Sequence, residues 1–535
     1  MDASLLSSDP NTLHAKRPAT DKLWGFLFVG VYVALIGFGV WGAQNADLDT
    51  FVHPPADCSQ MRRRLGADGD DPPSADDWLI TFKNHAYFFA PMLVFLLAVG
   101  VAWIWLLRHC ARVVTYVTLA MVPVGCFVGA GAILTTMPQA SYGCIALIVV
   151  GLLYLLIICC MRSRIELTAA LITKAVDVLG AHPGIIMAAL GTKLLYLALL
   201  AGGVASAAAV LLTGGWVSGI DTDTGEKVCV WEMSTAAEVG LGVAGVALLW
   251  LTFLAFTIRF FVTSFVTACW WFDTDGGDAL PTAADGSGVL RPASTGAPVR
   301  RGLGLAFGKS FGTLSLAASV LTACEIVNNM ARNAERRSNN ICVCLVMCCL
   351  QCIMRYIQWL TKFCVAWHAV TAQPFCTSAR GVFDMLGRHG LAVLVVDRFT
   401  SLVMHMGSLF LALVVAGGTT LVVKAYTDGQ SGLPQEQADL MLAVFGITAW
   451  VLSSVVLNFF GALVLNIVDA AYICFALDLD TQAAHRHEMR QVLILVAKPT
   501  TVVQQPGGGA AVAVPVPVGT AVAPVPTAVP VGSYA

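Results

Sequence analysis

Ten stretches of mostly apolar residues, each about as long as the roughly 20-residue helix that crosses a bilayer, recur along this chain, and such a stretch has few ways to fold. No water reaches backbone N–H and C=O groups in hydrocarbon, so a crossing segment must satisfy them internally, as a helix does. The stretches are Trp24–Ala43, Tyr87–Leu107, Val113–Leu134, Cys144–Met161, Ile185–Leu212, Glu238–Ile258, Leu305–Val327, Ile341–Phe363, Leu391–Val423 and Leu440–Val468. The sixth continues into the apolar Phe260–Phe272, and Ile341–Phe363 fits least well because it carries Arg355 and Lys362. The first is aromatic and lacks a small-residue cleavage site, so it reads as a retained span and not as a secretory signal. Composition agrees: 57% of residues are hydrophobic and 12% charged, against about 45–50% and 25% in soluble domains. The expected fold class is an all-α polytopic membrane protein, with about ten transmembrane helices in one bundle, a cytoplasmic amphipathic helix and a disordered C-terminal tail. The lipid bilayer is the expected surrounding, and a net charge of -2 argues against a nucleic-acid partner.

Charge in the short loops sets the orientation, because Arg and Lys collect on the cytoplasmic side. Arg108, Arg112, Arg162, Arg164, Lys174, Arg291, Arg300, Arg301, Arg380, Arg388 and Arg398 fall on one side. Asp221, Asp223, Glu226, Glu232, Asp428, Glu436 and Asp439 fall on the other, which leaves both termini cytoplasmic. Arg332, Arg336 and Arg337 break the rule if both Leu305–Val327 and Ile341–Phe363 cross. Between the fourth and fifth stretches, Ile165, Ala169, Ile172, Val176 and Leu179 share one helical face, which reads as a helix along the cytoplasmic membrane surface. The expected division is a cytoplasmic segment 1–23, a transmembrane domain 24–480, a juxtamembrane segment 481–498 and a Pro/Val/Ala/Gly-rich tail 499–535, whose composition leaves no room for a packed core.

Ionisable groups at membrane depth are costly and invite a functional reading. Lys193, Glu325 and Asp469 qualify; snorkelling to an interface is the plain reading for Lys193 and Asp469, whereas Glu325 is a carboxylate able to attract a cation. Tyr116, Tyr196 and Trp250 lie deeper than the interfacial Trp24, Trp41, Trp103 and Trp105. Facing one cavity, such rings would bind a quaternary ammonium by cation–π attraction, although packing alone also explains them. Glycines at 125, 129, 131, 202, 203, 240, 242 and 245 suit close helix approach. Of seventeen cysteines, Cys58 and Cys229 are the ones in loops expected outside and are the natural disulfide candidates. Cys344, Cys348 and Cys352 stack along one helical face, which suits apolar packing or palmitoylation better than a tetrahedral zinc site, so no metal or other cofactor is expected.

Several ordered motifs make the sequence similar to the choline transporter-like family. They are Phe375-Cys-Thr-Ser-Ala379 followed by Arg380 and Phe383, and Val395-Val-Asp-Arg-Phe-Thr400. Further pieces are Trp103-Ile-Trp-Leu-Leu-Arg108, Trp270-Trp271, Phe311-Gly-Thr-Leu314, the cysteine-rich run and Val468–Asp480. The resemblance covers most of Trp78–Asp480. It implies a bundle of about ten helices with cytoplasmic termini that moves choline, or a related amine such as ethanolamine, across the plasma membrane or an organelle membrane. Two features depart from the pattern. The external segment Gln44–Ala86 is short and the chain holds no Asn-x-Ser/Thr sequon, so glycosylation of that loop is not expected. Glu325 stands where the pattern favours an uncharged polar residue.

The expected function is transport of a choline-like cation through an aromatic cavity, with Tyr116, Tyr196, Trp250, Trp270, Trp271 and Glu325 as candidate substrate contacts. Each aromatic contact contributes about 0.5–2 kcal/mol, which suits cargo that must also leave. An enzyme is not expected and no catalytic residue is assigned: Asp68–Asp71 and Asp273–Asp278 lack phosphate-handling surroundings, and no nucleophile elbow, P-loop or His-Glu-x-x-His run occurs. The alternative is a non-transporting scaffold or lipid-handling protein of the same fold.

Overall fold

A computed structural model describes residues 18–46, 89–136, 141–220, 227–272, 297–337, 340–428 and 435–481. Cys58, the aspartates at 68–71 and 273–278, and the tail from 482 onward lie outside the described residues. In chain order the helices are α1 (Lys22–Asn45), α2 (Phe89–Thr136), α3 (Ser141–Cys160), α4 (Arg162–Ala181) and α5 (Gly184–Leu211). A hairpin of β1 (Gly215–Ile220) and β2 (Lys227–Glu232) leads to α6 (Thr235–Phe272), α7 (Ala297–Ala306), α8 (Phe311–Arg337), α9 (Ile341–Thr371), α10 (Phe375–Asp428) and α11 (Gln435–Thr481).

Nine of the described helices are long and apolar enough to cross a membrane. They account for all ten predicted stretches, because α2 carries two of them on either side of Cys110, whose backbone leaves the helical region (φ -128°, ψ 25°). The chain is thus an all-α polytopic membrane protein. Its helices present leucine, isoleucine and valine outward, Leu194 being 59% and Leu156 60% exposed, as expected where acyl chains are the solvent.

Two local expectations change, and two further features emerge. Leu305–Val327 is not one helix: the chain turns between α7 and α8, where Ser310 and Gly308 donate backbone N–H groups to the Leu305 carbonyl at 3.0 and 3.3 Å. The α4 helix forms as expected, but Ile165, Ala169, Ile172, Val176 and Leu179 are buried in the main core, where α4 packs on α2, α10 and α11. That face therefore meets protein and not lipid. Cys348 and Cys352 are exposed on α9. The acidic segment around Glu232 contains a hairpin in register Trp216↔Trp231, its two indoles edge-to-face at 5.5 Å.

α6 sits at the centre of the bundle, in contact with α1, α5, α7, α8, α9 and α11. Its last third, Phe260–Phe272, is almost wholly buried, which explains why the apolar run continues past the sixth stretch. The arginine run that broke the charge rule occupies the last turns of α8. There Arg332 pairs with Glu325 at 2.8 Å, and Gln358 and Gln351 of α9 donate to Glu325 and Glu335 at 3.2 and 2.9 Å. A polar ladder therefore joins α8 to α9.

Close backbone approach holds α1 against α5. A Cβ built on Gly42 would lie 2.7 Å from the Val210 nitrogen and 2.8 Å from the Ala209 carbonyl carbon, with no flexible side chain able to yield. Gly37 on the same helix would meet nothing within 4 Å. Gly42→Leu should therefore destabilise the purified protein by about 1–3 kcal/mol, seen as a lowered midpoint in detergent thermal denaturation, and Gly37→Leu should leave the midpoint unchanged.

Candidate functional site

Three constellations of polar and aromatic side chains surround α6. In the first, Trp250 is 7% exposed and its indole N–H donates to the Ser315 carbonyl at 3.1 Å, fixing the ring against α8. Trp24 and Phe28 of α1 meet it edge-on, with centroids 6.5 and 5.6 Å away, and Phe28 also packs on Tyr32 and Phe311. The base of this cluster is tied by Asp21, whose Oδ2 accepts the Thr313 hydroxyl at 2.8 Å and the Phe375 N–H at 3.1 Å. A carboxylate there suits the positive N-terminal end of α10.

The second is a cavity of about 180 Å³ between α5 and α6, lined by Thr192, Lys193, Tyr196, Thr252, Ala255, Phe256 and Arg259. The Tyr196 and Thr252 hydroxyls are hydrogen-bonded at 3.2 Å. Lys193 Nζ stands 5.4 Å from the Tyr196 ring centroid, on the face a substrate ammonium would need.

The third is a buried ionic trio at the adjoining parts of α9, α10 and α11. Lys362 Nζ pairs with Asp397 Oδ1 at 3.3 Å and with Asp469 Oδ2. The Trp359 indole donates to Asp397 Oδ2 at 3.2 Å. The Phe260 and Phe363 ring centroids lie 5.8 and 5.9 Å from the ammonium. Asp469 is 2% exposed, so it does not snorkel; its side chain turns inward to the lysine. With all three groups ionised, the trio carries one excess negative charge enclosed by aromatic faces.

Residues 145–480 match the family described as plasma-membrane choline transporter. The chain belongs to this family. Among its relatives, a CTL-like protein of Dictyostelium discoideum is 25% identical over 72% of this chain and 69% of its own length. Choline transporter-like protein 2 of Danio rerio is 25% identical over 38% of this chain and 30% of its own length. Choline transporter-like protein 4 of Homo sapiens is 28% identical over 33% and 24%. The chain thus matches less than a third of the length of these two vertebrate relatives.

The geometry explains several motifs shared with the choline transporter-like family. Phe375–Ala379 opens α10, where Ser378 donates to the Gln373 carbonyl at 3.1 Å, His368 Nδ1 lies 2.5 Å from the same oxygen, and Trp367 donates to Gln373 Oε1 at 3.3 Å. That stretch builds the α9–α10 turn. Val395–Thr400 carries Asp397 of the trio.

The predicted substrate contacts do not converge on one cavity. Trp250 belongs to the aromatic cluster and Tyr196 to the α5–α6 cavity. Tyr116 is half-buried on α2, its hydroxyl enclosed without a hydrogen-bond partner. Trp270 and Trp271 sit at the far end of α6, Trp271 fully buried. Glu325 is already held by Arg332. Cys229 lies in β2 opposite Ser218, its side chain outside the described residues like all of Cys58. Sequence reasoning missed Lys362 and Asp397 as partners; the available signal was a lysine and an aspartate each inside or beside an apolar stretch, and only the fold shows that they meet Asp469.

Removing Lys362 strands two buried carboxylates. Lys362→Met should lower stability by about 3–5 kcal/mol, while Lys362→Met with Asp469→Asn should recover part of the loss. Thermal denaturation of the purified variants measures both.

Proposed function

We propose that this chain is a plasma-membrane carrier for choline, accepting a related amine such as ethanolamine, and that the excess carboxylate of the trio draws the cation into the bundle. The observation that carries the reading is the enclosed meeting of two aspartates, Asp397 and Asp469, with one lysine, Lys362, set among aromatic rings in a member of this family. Choline cannot shed its charge by deprotonation, so its hydration must be replaced by carboxylate and aromatic faces. Lys362 is a tethered cation already in such surroundings. A substrate ammonium attracted to either carboxylate competes with it, which ties binding to loosening of α9 from α10 and α11.

Of the residues singled out in the sequence, Trp250 is the best-supported ligand, because Trp24 and Phe28 bring further rings beside it. Tyr196 and Glu325 enter this reading only with a rearrangement that frees them from Lys193 and Arg332. Tyr116, Trp270 and Trp271 are left out of the proposed path.

Liposomes holding the purified protein should take up labelled choline saturably, with competition by tetramethylammonium and ethanolamine. Trp250→Leu should weaken apparent affinity about 2- to 30-fold, the equivalent of one cation–π contact. Asp397→Asn should lower uptake further than Trp250→Leu. Absence of protein-dependent flux would overturn the assignment.

A further inference from the structure

The α5–α6 cavity has the wrong charge for the proposed cargo. Its lining holds two cations, Lys193 and Arg259, three hydroxyl side chains, Thr192, Tyr196 and Thr252, and no carboxylate. Among the described residues neither cation has a carboxylate partner, and Arg259 Nε is enclosed without a hydrogen-bond acceptor. The face of Tyr196 is the one compensation Lys193 has. Two unpaired cations this close repel each other and any quaternary ammonium, and they call for an anion with several acceptor oxygens.

Depth and surroundings narrow the class of anion. Arg259 lies about 36 Å along α6 from Thr235, and Lys193 about 27 Å along α5 from Leu211, at 1.5 Å per residue. Both distances start at the end of the bundle that carries the hairpin, and the hydrocarbon is about 30 Å thick. The two cations therefore bracket the headgroup level of the opposite leaflet, which is the cytoplasmic one by the distribution of basic loops. The rim is open sideways: Lys193 and Thr252 are exposed, and beside them Leu190, Leu194 and Leu197 face outward where acyl chains run.

We propose that this cavity is a phosphate site for an anionic phospholipid of the cytoplasmic leaflet. The phosphate lies between Lys193 and Arg259, and the acyl chains lie along the outward leucines of α5. Anionic lipid is concentrated in that leaflet, so the occupant is at hand without diffusion from solution. No lining residue belongs to the aromatic cluster or the ionic trio, although Phe256 of the lining stacks on Phe260, which faces Lys362; lipid binding is tested apart from choline transport.

The test is a thermal-shift titration of the purified full-length protein in detergent with dioctanoyl phosphatidic acid. The wild type should be stabilised saturably. Lys193→Gln with Arg259→Gln should weaken the response about tenfold or more, as loss of charge-assisted hydrogen bonds requires. Lys193→Arg with Arg259→Lys should retain it. Thr252→Phe, which fills the rim and keeps both charges, is the second variant and should also weaken it. Equal stabilisation of the wild type and the double glutamine variant would overturn the site. Equal stabilisation of the wild type by dioctanoyl phosphatidylcholine would overturn its preference for net anionic lipid, and an equal effect of inorganic phosphate alone would overturn the lipid as its occupant.

Discussion

Helices surrounded by hydrocarbon gain little from burying apolar side chains against one another, since the lipid is as apolar as leucine. What holds such a bundle together is close packing of backbones and the few polar contacts between helices. Here α6 is the element on which both converge, touching six other helices along its length. Its outer half lies against α1 and α5, where Gly203 is so near Leu248 that a side chain there would displace it. Its last third, from Phe260 to Phe272, is buried by protein on nearly every side and forms a core of the kind found in soluble domains.

Polar contacts then divide the bundle into regions with different tasks. The ladder of Glu325, Arg332, Gln358, Glu335 and Gln351 joins α8 to α9 where the chain is too charged to rely on packing. Asp21 ties the beginning of α1 to Thr313 of α8 and to the first turn of α10. The Lys362 trio is more fully enclosed by protein, with Asp469 2% exposed, so its attraction must offset a desolvation cost.

Much of this was legible in the sequence because lipid imposes a length and a polarity that composition must obey. The apolar stretches fall on described helices except at the turn that breaks Leu305–Val327, α4 spans the residues its periodicity implied, and the motifs resembling choline transporter-like proteins, apart from Trp103–Arg108, lie within the residues that match the family. The failures have physical causes. Periodicity at Ile165, Ile172 and Leu179 says that one face is apolar but not whether lipid or protein covers it. The break before Phe311 falls on Gly308-Lys309-Ser310, a short polar interruption that averaging over a span-length window hides. Glu325 drew attention as a lone carboxylate, yet its partner is Arg332, two helical turns further along the same helix.

The sequence by itself determined that the chain lives in a bilayer, how many apolar stretches it has and which family it resembles, since hydrocarbon acts on each segment separately. Only the tertiary structure decided which charges meet. Lys362, Asp397 and Asp469 come from three helices and are separated by up to 107 positions, as read from their numbers. Lys193 and Arg259 converge from two more, and no local pattern distinguishes them from snorkelling residues. Pairing across helices depends on how each helix rotates about its axis. That rotation is set by the close contacts of neighbours such as Gly42 with Val210, which are a property of the assembled bundle and not of any one span.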